Sequence, residues 1–224
     1  MITVVAAVIV DRGEVLCMQK PLTRYPYTSY HWEYPGGKVE KGETEPDALC
    51  RELREEMDYP IRVLGLLSTV EHTYPDFAIR LRIYLCAPAD TAHPRQFVLK
   101  EHHAYRWVPM CEVPFVGEWC AADEILTADE GIVDVLPGTD FQKSVWRSLC
   151  HIPYGETRTY KDVAAAIGRP TAVRAVASAC GANPLPYYIP CHRVVATHGL
   201  GGYAFGLDAK RHLLERENPL TPNP

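Results

Sequence analysis

Two groups of side chains in this 224-residue chain could do chemistry. The first is acidic. Glu52, Glu55 and Glu56 stand at i, i+3 and i+4 in Arg51-Glu52-Leu53-Arg54-Glu55-Glu56, a spacing that gathers carboxylates on one side of a helix. Three like charges repel unless a cation holds them, and oxygen donors of this kind suit Mg2+ or Mn2+ shared with substrate phosphates. A Glu-rich helix without further context is more often a solvated face. The second group is a thiol: Cys191 precedes His192 in Tyr188-Ile189-Pro190-Cys191-His192-Arg193-Val194-Val195. A neighbouring histidine can lower a cysteine's pKa and make it nucleophilic. Taken alone the pair proves little, because a buried free cysteine is the commoner case.

The elements that must position these groups are readable. Residues 44–57 predict an amphipathic helix: Thr44 is a natural N-cap, Pro46 fits the first turn, and Leu49, Leu53 and Met57 recur every four residues with the glutamates expected opposite them. Residues 3–10 and 15–18 favour strands around the turn signal Asp11-Arg12-Gly13. Residues 61–70 and 77–86 continue the β structure. In the latter, Phe77, Ile79, Leu81, Ile83 and Leu85 alternate with Ala78, Arg80, Arg82 and Tyr84, so one face is expected to be buried.

Farther along, helices are expected at 140–149, 160–167 and 172–180, the last capped by Thr171. Gly168-Arg169-Pro170-Thr171 separates the second from the third, as in a helix-turn-helix. In the third helix Val173, Val176 and Cys180 form a core stripe. Arg174, Ala177 and Ser178 are left on a nearly bare face, whose small side chains a DNA minor groove could approach, although a surface arginine on a helix usually has no special role.

Composition sets the frame. With 47% apolar and 23% charged residues the chain is an ordinary globular protein, long enough for two modest domains. The net charge of -5 divides unevenly: residues 1–137 hold 13 Lys and Arg against 22 Asp and Glu, and residues 138–224 hold 10 against 6. The acidic part suits a metal and the mildly basic part suits phosphates, although either imbalance is more often plain surface. The break Pro137-Gly138 follows an acidic stretch, which places domains at 1–127 and 139–224 with a linker at 128–138. Eight cysteines lack any C-x-x-C pair, so no structural zinc is expected, and most should be reduced core residues. The apolar start of about ten residues is too short for a membrane span and lacks leader features, so a cytoplasmic protein with no membrane partner is expected.

The acidic helix sits in a longer pattern: Gly37, Glu43 after five residues, then after seven more Arg51-Glu52-Leu53-Arg54-Glu55-Glu56. This resembles the Nudix box, and with Trp32-Glu33-Tyr34-Pro35 the likeness to MutT-like proteins covers about residues 1–127. The departure is Asp58-Tyr59 in place of glycine and an aliphatic; Asp tolerates a left-handed cap better than most residues. The resemblance implies an α/β/α sandwich with a mixed sheet that hydrolyses nucleoside triphosphates to monophosphate and pyrophosphate with Mg2+ or Mn2+. It implies that Glu52, Glu55 and Glu56 hold metal, with Glu52 and Glu55 also serving catalysis. It further implies that a carbonyl of the Gly36-Gly37 loop assists, that Arg51 orients the carboxylates, that Glu101 is a further ligand or base, and that Tyr34, Phe77 and Asp123 contact the nucleotide.

From Phe141 to Glu217 an ordered series runs Phe-Gln-x2-Val-Trp, Ile-Pro-x-Gly, Arg-Ala-Val, Asn-Pro, Pro-Cys-His-Arg-Val-Val, Gly-Gly-Tyr and Lys-x2-Leu-Leu. It resembles the active-site domain of O6-alkylguanine-DNA alkyltransferases. The resemblance implies a small helical, winged-helix-like domain that acts on double-stranded DNA containing O6-alkylguanine without a cofactor. Cys191 would accept the alkyl group, His192 would serve as its base through a water, and Glu217 would orient the histidine. Tyr160 would help to rotate the nucleotide and protonate the departing guanine, Asn183 would brace the turn, Lys210 would favour the thiolate, and Arg174, Ala177, Ser178 and Tyr160 would meet DNA. Three departures stand out: the usual N-terminal domain of that family is not recognisable, Ala177 replaces a frequent glycine, and the loop from Val195 to Tyr203 is one residue short. Phe205 stands where bacterial members often carry tryptophan. The expectation is a monomeric bifunctional enzyme; the alternative is a non-repairing reader of alkylated DNA with a Nudix scaffold, against which the retained Cys191 weighs.

Overall fold

In a computed structural model the described residues are 1–90, 95, 99–121 and 128–218. The chain divides into two compact units, Met1–Leu126 and Thr127–Pro224. Asp123 lies outside the described residues.

The first unit is built on a mixed sheet of β1 (Ile2–Asp11), β2 (Glu14–Gln19), β3 (Trp32–Glu33) and β4 (Gly36–Lys38), then, after helix α1 (Glu45–Met57), β5 (Ile61–Thr73), β6 (Ala78–Pro88) and β7 (Ala104–Pro109). The central β1 runs parallel to β6 and antiparallel to β2 and β4. Arg12 and Gly13 both take positive φ in the tight turn between β1 and β2 (52° and 82°), which suits the twist of a two-residue hairpin.

Helix α1 starts as its sequence requires. The Thr44 side chain accepts from the Asp47 amide, and Asp58 closes the helix at φ 50°, ψ 39°. Leu49, Leu53 and Met57 are buried against Val5, Ala7, Ile9, Leu16 and Met18 of the sheet; each such burial contributes about 1.5–3 kcal/mol. The glutamates do not all oppose this stripe. At 100° per residue Glu56 falls between Leu49 and Glu52, and it is buried. Strand β6 also departs from the one-face expectation, because Ile83 through Cys86 are all buried. Tyr84 and Cys86 join the cluster under α1, whereas Ile79 and Leu81 line a cleft. Among the described residues α1 is the one α-helix of this unit, the other helical turns being short 3-10 segments.

The second unit holds α2 (Asp140–Cys150), β8 (Arg158–Thr159), α3 (Tyr160–Ala166), α4 (Val173–Gly181), β9 (Val194–Val195) and α5 (Leu207–Glu217). Thr139 with Gln142 and Thr159 with Asp162 form capping boxes that set the starts of α2 and α3. Trp146 of α2 donates its indole N–H to the Ala179 carbonyl of α4 (2.8 Å) and ties those helices together. The N-cap of α4 is Ala172, without a side-chain bond, rather than Thr171; its amide turns back to the Arg169 carbonyl and carries the chain one residue farther. β8 and β9 pair in parallel, and no antiparallel wing is formed among the described residues. Residues 128–138, expected as a linker, contain a 3-10 turn with Ile132 and Val133 buried, packed with α2 inside the second unit.

Candidate active sites

In the first unit, β4 brings two glycines against the acidic helix. A Cβ on Gly37 would lie 2.2 Å from the Glu52 carboxyl carbon, and one on Gly36 would lie 2.0 Å from the Val5 carbonyl oxygen, so only glycine allows this approach of backbone to carboxylate. Arg51 fans out from α1 to Glu43 (2.7 Å), Glu52 (3.2 Å), Glu55 (3.2 Å) and the Lys38 carbonyl (3.1 Å). It thereby ties the glycine loop to the helix. Glu43, which the sequence reading left without a role, accepts two hydrogen bonds from Arg51 (2.7 and 3.1 Å) and one from the Glu40 amide (2.6 Å).

The three glutamates differ in surroundings. Glu55 is exposed, Glu52 is largely covered, and Glu56 is buried with its Oε2 lacking a hydrogen-bond partner among the described residues. Burial first, and then the charges of Glu101, Glu52 and Glu33, push the Glu56 carboxyl up to about 7 against the pull of His102. Glu101 is thus within electrostatic reach of Glu56. Glu33 and His102 also belong here, and sequence reasoning missed both; their nearness to Glu56 exists only once β3 and the chain before β7 are folded over α1.

Among the described residues no three His, Cys, Asp or Glu side chains converge as a preformed metal cage. The chemistry still fits a divalent cation. A buried carboxylate oxygen without a donor, facing further carboxylates, lacks positive charge, and Mg2+ commonly takes one or two carboxylates and completes its shell with water and phosphate oxygens. Beside it opens a cleft of about 290 Å3 whose lining includes Lys20, Glu33, Gly36 and Gly37 as well as Tyr25, Tyr34, Tyr74 and Phe77. Two of the three expected nucleotide contacts, Tyr34 and Phe77, are therefore in its wall. Tyr34 is 3% exposed and packs on Trp119 (4.9 Å between centroids), while Phe77 packs on Tyr25 and Tyr74 (both 5.1 Å).

In the second unit Cys191 opens a short 3-10 turn and lines a cavity of about 330 Å3 with Tyr160, Ala177, Cys180, Gly181 and Tyr203. Ala177 is in the cavity wall, whereas Arg174 and Ser178 are exposed; the exposed side of α4 also includes Ala175 and Gly181, which the sequence reading passed over. His192 is fully buried and its Nε2 lies 2.8 Å from Glu217 Oε1. With Nε2–H donated to that carboxylate, the neutral ring presents Nδ1 as an acceptor. Nδ1 has no partner among the described residues. Burial keeps the imidazole neutral by lowering its pKa, against the pull of Glu217.

Glu217 is the anchor. It takes Arg193 Nε (2.9 Å) and NH2 (2.9 Å) and the Gly155 amide (3.2 Å) in addition to His192. Burial opposes its charge, yet His192 and Arg193 hold the carboxyl down to about 2. The Arg193 partnership was missed in the sequence, where Arg193 is only the next letter of a motif. Asn183 donates to the Ile189 carbonyl (2.8 Å) and accepts from the Leu185 amide (3.0 Å), bracing the turn before Cys191. Burial pushes the Cys191 thiol up to about 11 while Asn183 and Lys210 pull the other way. The expected thiolate is thus opposed by burial at rest. Lys210 is fully buried, bonded to the Val194 (2.5 Å) and Gly202 (3.0 Å) carbonyls, and burial lowers it to about 8. The Tyr160 hydroxyl donates to the Gly202 carbonyl (3.3 Å) and accepts from its amide (3.2 Å). A Cβ on Gly201, at φ 71°, would press into the Tyr160 ring at 2.8 Å.

Residues 1–129 match the family model of the NUDIX domain. The chain belongs to the Nudix family. Residues 140–219 match the model described as 6-O-methylguanine DNA methyltransferase, DNA binding domain, so a Nudix domain and an alkyltransferase domain are fused in one chain. A methylated-DNA--protein-cysteine methyltransferase of Methanosarcina barkeri is 62% identical over 81 residues, which is 36% of this chain and 51% of that protein. The chain spans about half the length of the curated relatives it matches. Among solved structures, Mycobacterium tuberculosis OGT in complex with DNA is 52% identical, with 38% of this chain and 52% of that chain covered at a TM-score of 0.37. The E. coli ORF135 protein is 31% identical, with 55% and 84% covered at a TM-score of 0.47. The mixed α/β sheet and the small helical unit are the folds expected for the two domains. Among the described residues no helix is long and apolar enough to cross a membrane.

Proposed function

We propose that the chain is a bifunctional enzyme of DNA and nucleotide maintenance. The Nudix unit hydrolyses nucleoside triphosphates with Mg2+ or Mn2+. The alkyltransferase unit moves the alkyl group of O6-alkylguanine in double-stranded DNA irreversibly onto Cys191. The observation that carries the second activity is the buried His192–Glu217 pair, with Nδ1 open, next to a thiol that lines a cavity with Tyr160.

In the transfer the Cys191 proton passes to His192, by way of a water, as the sulfur bonds the alkyl carbon and the carbon–O6 bond breaks. The departing guanine takes a proton from Tyr160, which His192 replaces. Lys210 favours the thiolate, Asn183 holds the turn, and Arg174, Ala177 and Ser178 of α4 meet the DNA. In the Nudix unit Glu52, Glu55 and Glu56, aided by a Gly36 carbonyl and Glu101, would hold the cation, which when bound offsets phosphate charge. Arg51 fixes the carboxylates, and Tyr34 and Phe77 face the base. Water adds across a phosphoanhydride bond to release monophosphate and pyrophosphate.

Alkylating agents attack guanine in DNA and in free nucleotides, so O6-alkyl-dGTP is the substrate that would unite the two activities. Its N1 is an acceptor and calls for a donor in the pocket; Asp123, in its protonated form, is the sequence candidate. The test is kcat/KM with Mg2+ for O6-methyl-dGTP, 8-oxo-dGTP, dGTP and dCTP. A preference for O6-methyl-dGTP over dGTP is expected. Equal values for those two overturn the shared-lesion reading, and no hydrolysis of any overturns the Nudix activity.

A further inference from the structure

Resting on the Nudix reading above, we infer that His102 is a positioning residue for the Glu56 carboxylate, fixed in place by a Lys20–Glu33 pair. Three elements meet at this imidazole. Glu33 comes from β3, Lys20 follows β2, and Glu56 is in the last turn of α1. The ring is 7% exposed. Its Nε2 lies 3.1 Å from Glu33 Oε1, and the other Glu33 oxygen takes the Lys20 ammonium at 2.5 Å. The far edge of the ring, Nδ1, faces Glu56 Oε2 at 3.8 Å.

That last distance is beyond a hydrogen bond. His102 therefore walls in the carboxylate without occupying its lone pair, and Oε2 stays open to a cation. Glu33 is held below the usual carboxylate range: burial works against its charge, and His102 and Lys20 more than offset this. The pair thus presents a charged, immobile partner to the ring.

Backbone bonds set the same segment in place. The Lys100 amide donates to the Glu56 carbonyl (3.3 Å) and the His103 amide to the Gln19 carbonyl (2.8 Å), so the chain carrying His102 is pinned both to the end of α1 and to the end of β2. Glu101, between those anchors, approaches Glu56 by the same constraint. Partners that orient a metal-binding carboxylate or imidazole from behind typically contribute tenfold to a hundredfold in metal affinity.

The experiment is Mn2+ affinity of the full chain, free of nucleotide, by electron paramagnetic resonance, with kcat and KM measured alongside. His102→Ala is expected to weaken Mn2+ binding by about tenfold or more and to lower kcat rather than raise the nucleotide KM. His102→Gln, which can still donate to Glu33, should recover most of the affinity, and Glu33→Gln, which loosens the ring's anchor, should lose it in part. Unchanged Mn2+ affinity in folded His102→Ala overturns the inference and leaves the Nudix activity standing. Wild-type protein that binds no Mn2+ overturns the inference, and if it also hydrolyses no nucleotide the Nudix reading falls with it.

Discussion

The two sites handle a buried carboxylate in opposite ways. Glu217 is surrounded by donors from Arg193, His192 and Gly155 and is held down to about 2. Glu56 is buried beside other carboxylates, has one oxygen without a hydrogen bond, and is pushed up to about 7. An ionised group inside a protein must find its counter-charge somewhere. The second unit supplies it to Glu217 from its own chain, through Arg193 and His192. The first unit leaves one oxygen of Glu56 without a donor among the described residues, an arrangement that suits a divalent cation.

Removing the carboxylate from each site breaks this comparison most severely. Glu217→Gln should destabilise the second unit by about 3–5 kcal/mol, because it strands the buried Arg193. Chemical denaturation followed through Trp146 fluorescence would measure this. The same pair predicts acid sensitivity. Glu217 is lower in the folded state than its ordinary value of 4.5, so its stabilisation is full above that pH and is lost as pH falls from there through about 2. Glu56→Gln should do the reverse: no loss of stability without metal, and kcat for Mg2+-dependent hydrolysis down by about a hundredfold or more, since a bound metal supplies several kcal/mol of charge stabilisation.

A smaller effect separates the groups around the thiol. Burial sets Cys191 at about 11 and Lys210 at about 8. The rate of alkyl transfer should therefore rise with pH up to about 8 and flatten above it, as Lys210 loses the charge that favours the thiolate. Single-turnover rates across pH in wild type and Lys210→Met would show this, the variant being about tenfold slower at neutral pH and lacking the bend. The smallest effect is at the cleft wall, where Phe77→Ala should raise the nucleotide KM by about tenfold with kcat little changed, the stacking of one base being worth about 1–3 kcal/mol. A fall in kcat alone would instead place Phe77 with the reacting phosphates.

Local rules made much of this legible in advance. The Thr44 cap, the left-handed Asp58 and the Arg12-Gly13 turn each depend on neighbours in sequence, and each is found where expected. The burial of Glu56 is legible too, because helix periodicity sets it beside Leu49. What could not be read are the meetings between distant segments: His102 with Glu33 across 69 positions, Arg193 with Glu217 across 24, and the burial of both faces of β6 once α1 covers one of them. Ala177 illustrates the limit on a single helix. Helix periodicity sets it beside Arg174 and Ser178, but whether it meets solvent or a cavity depends on Cys191 arriving from another turn.

The account stands most directly on the fate of one sulfur. Full-length protein incubated with excess duplex DNA containing O6-methylguanine should gain a single methyl group by intact mass. Peptide mapping should locate it on Cys191, with no turnover and with no gain in Cys191→Ala. Methyl on a different thiol, such as Cys180 in the same cavity, or no methyl on folded wild-type protein, would contradict the assignment.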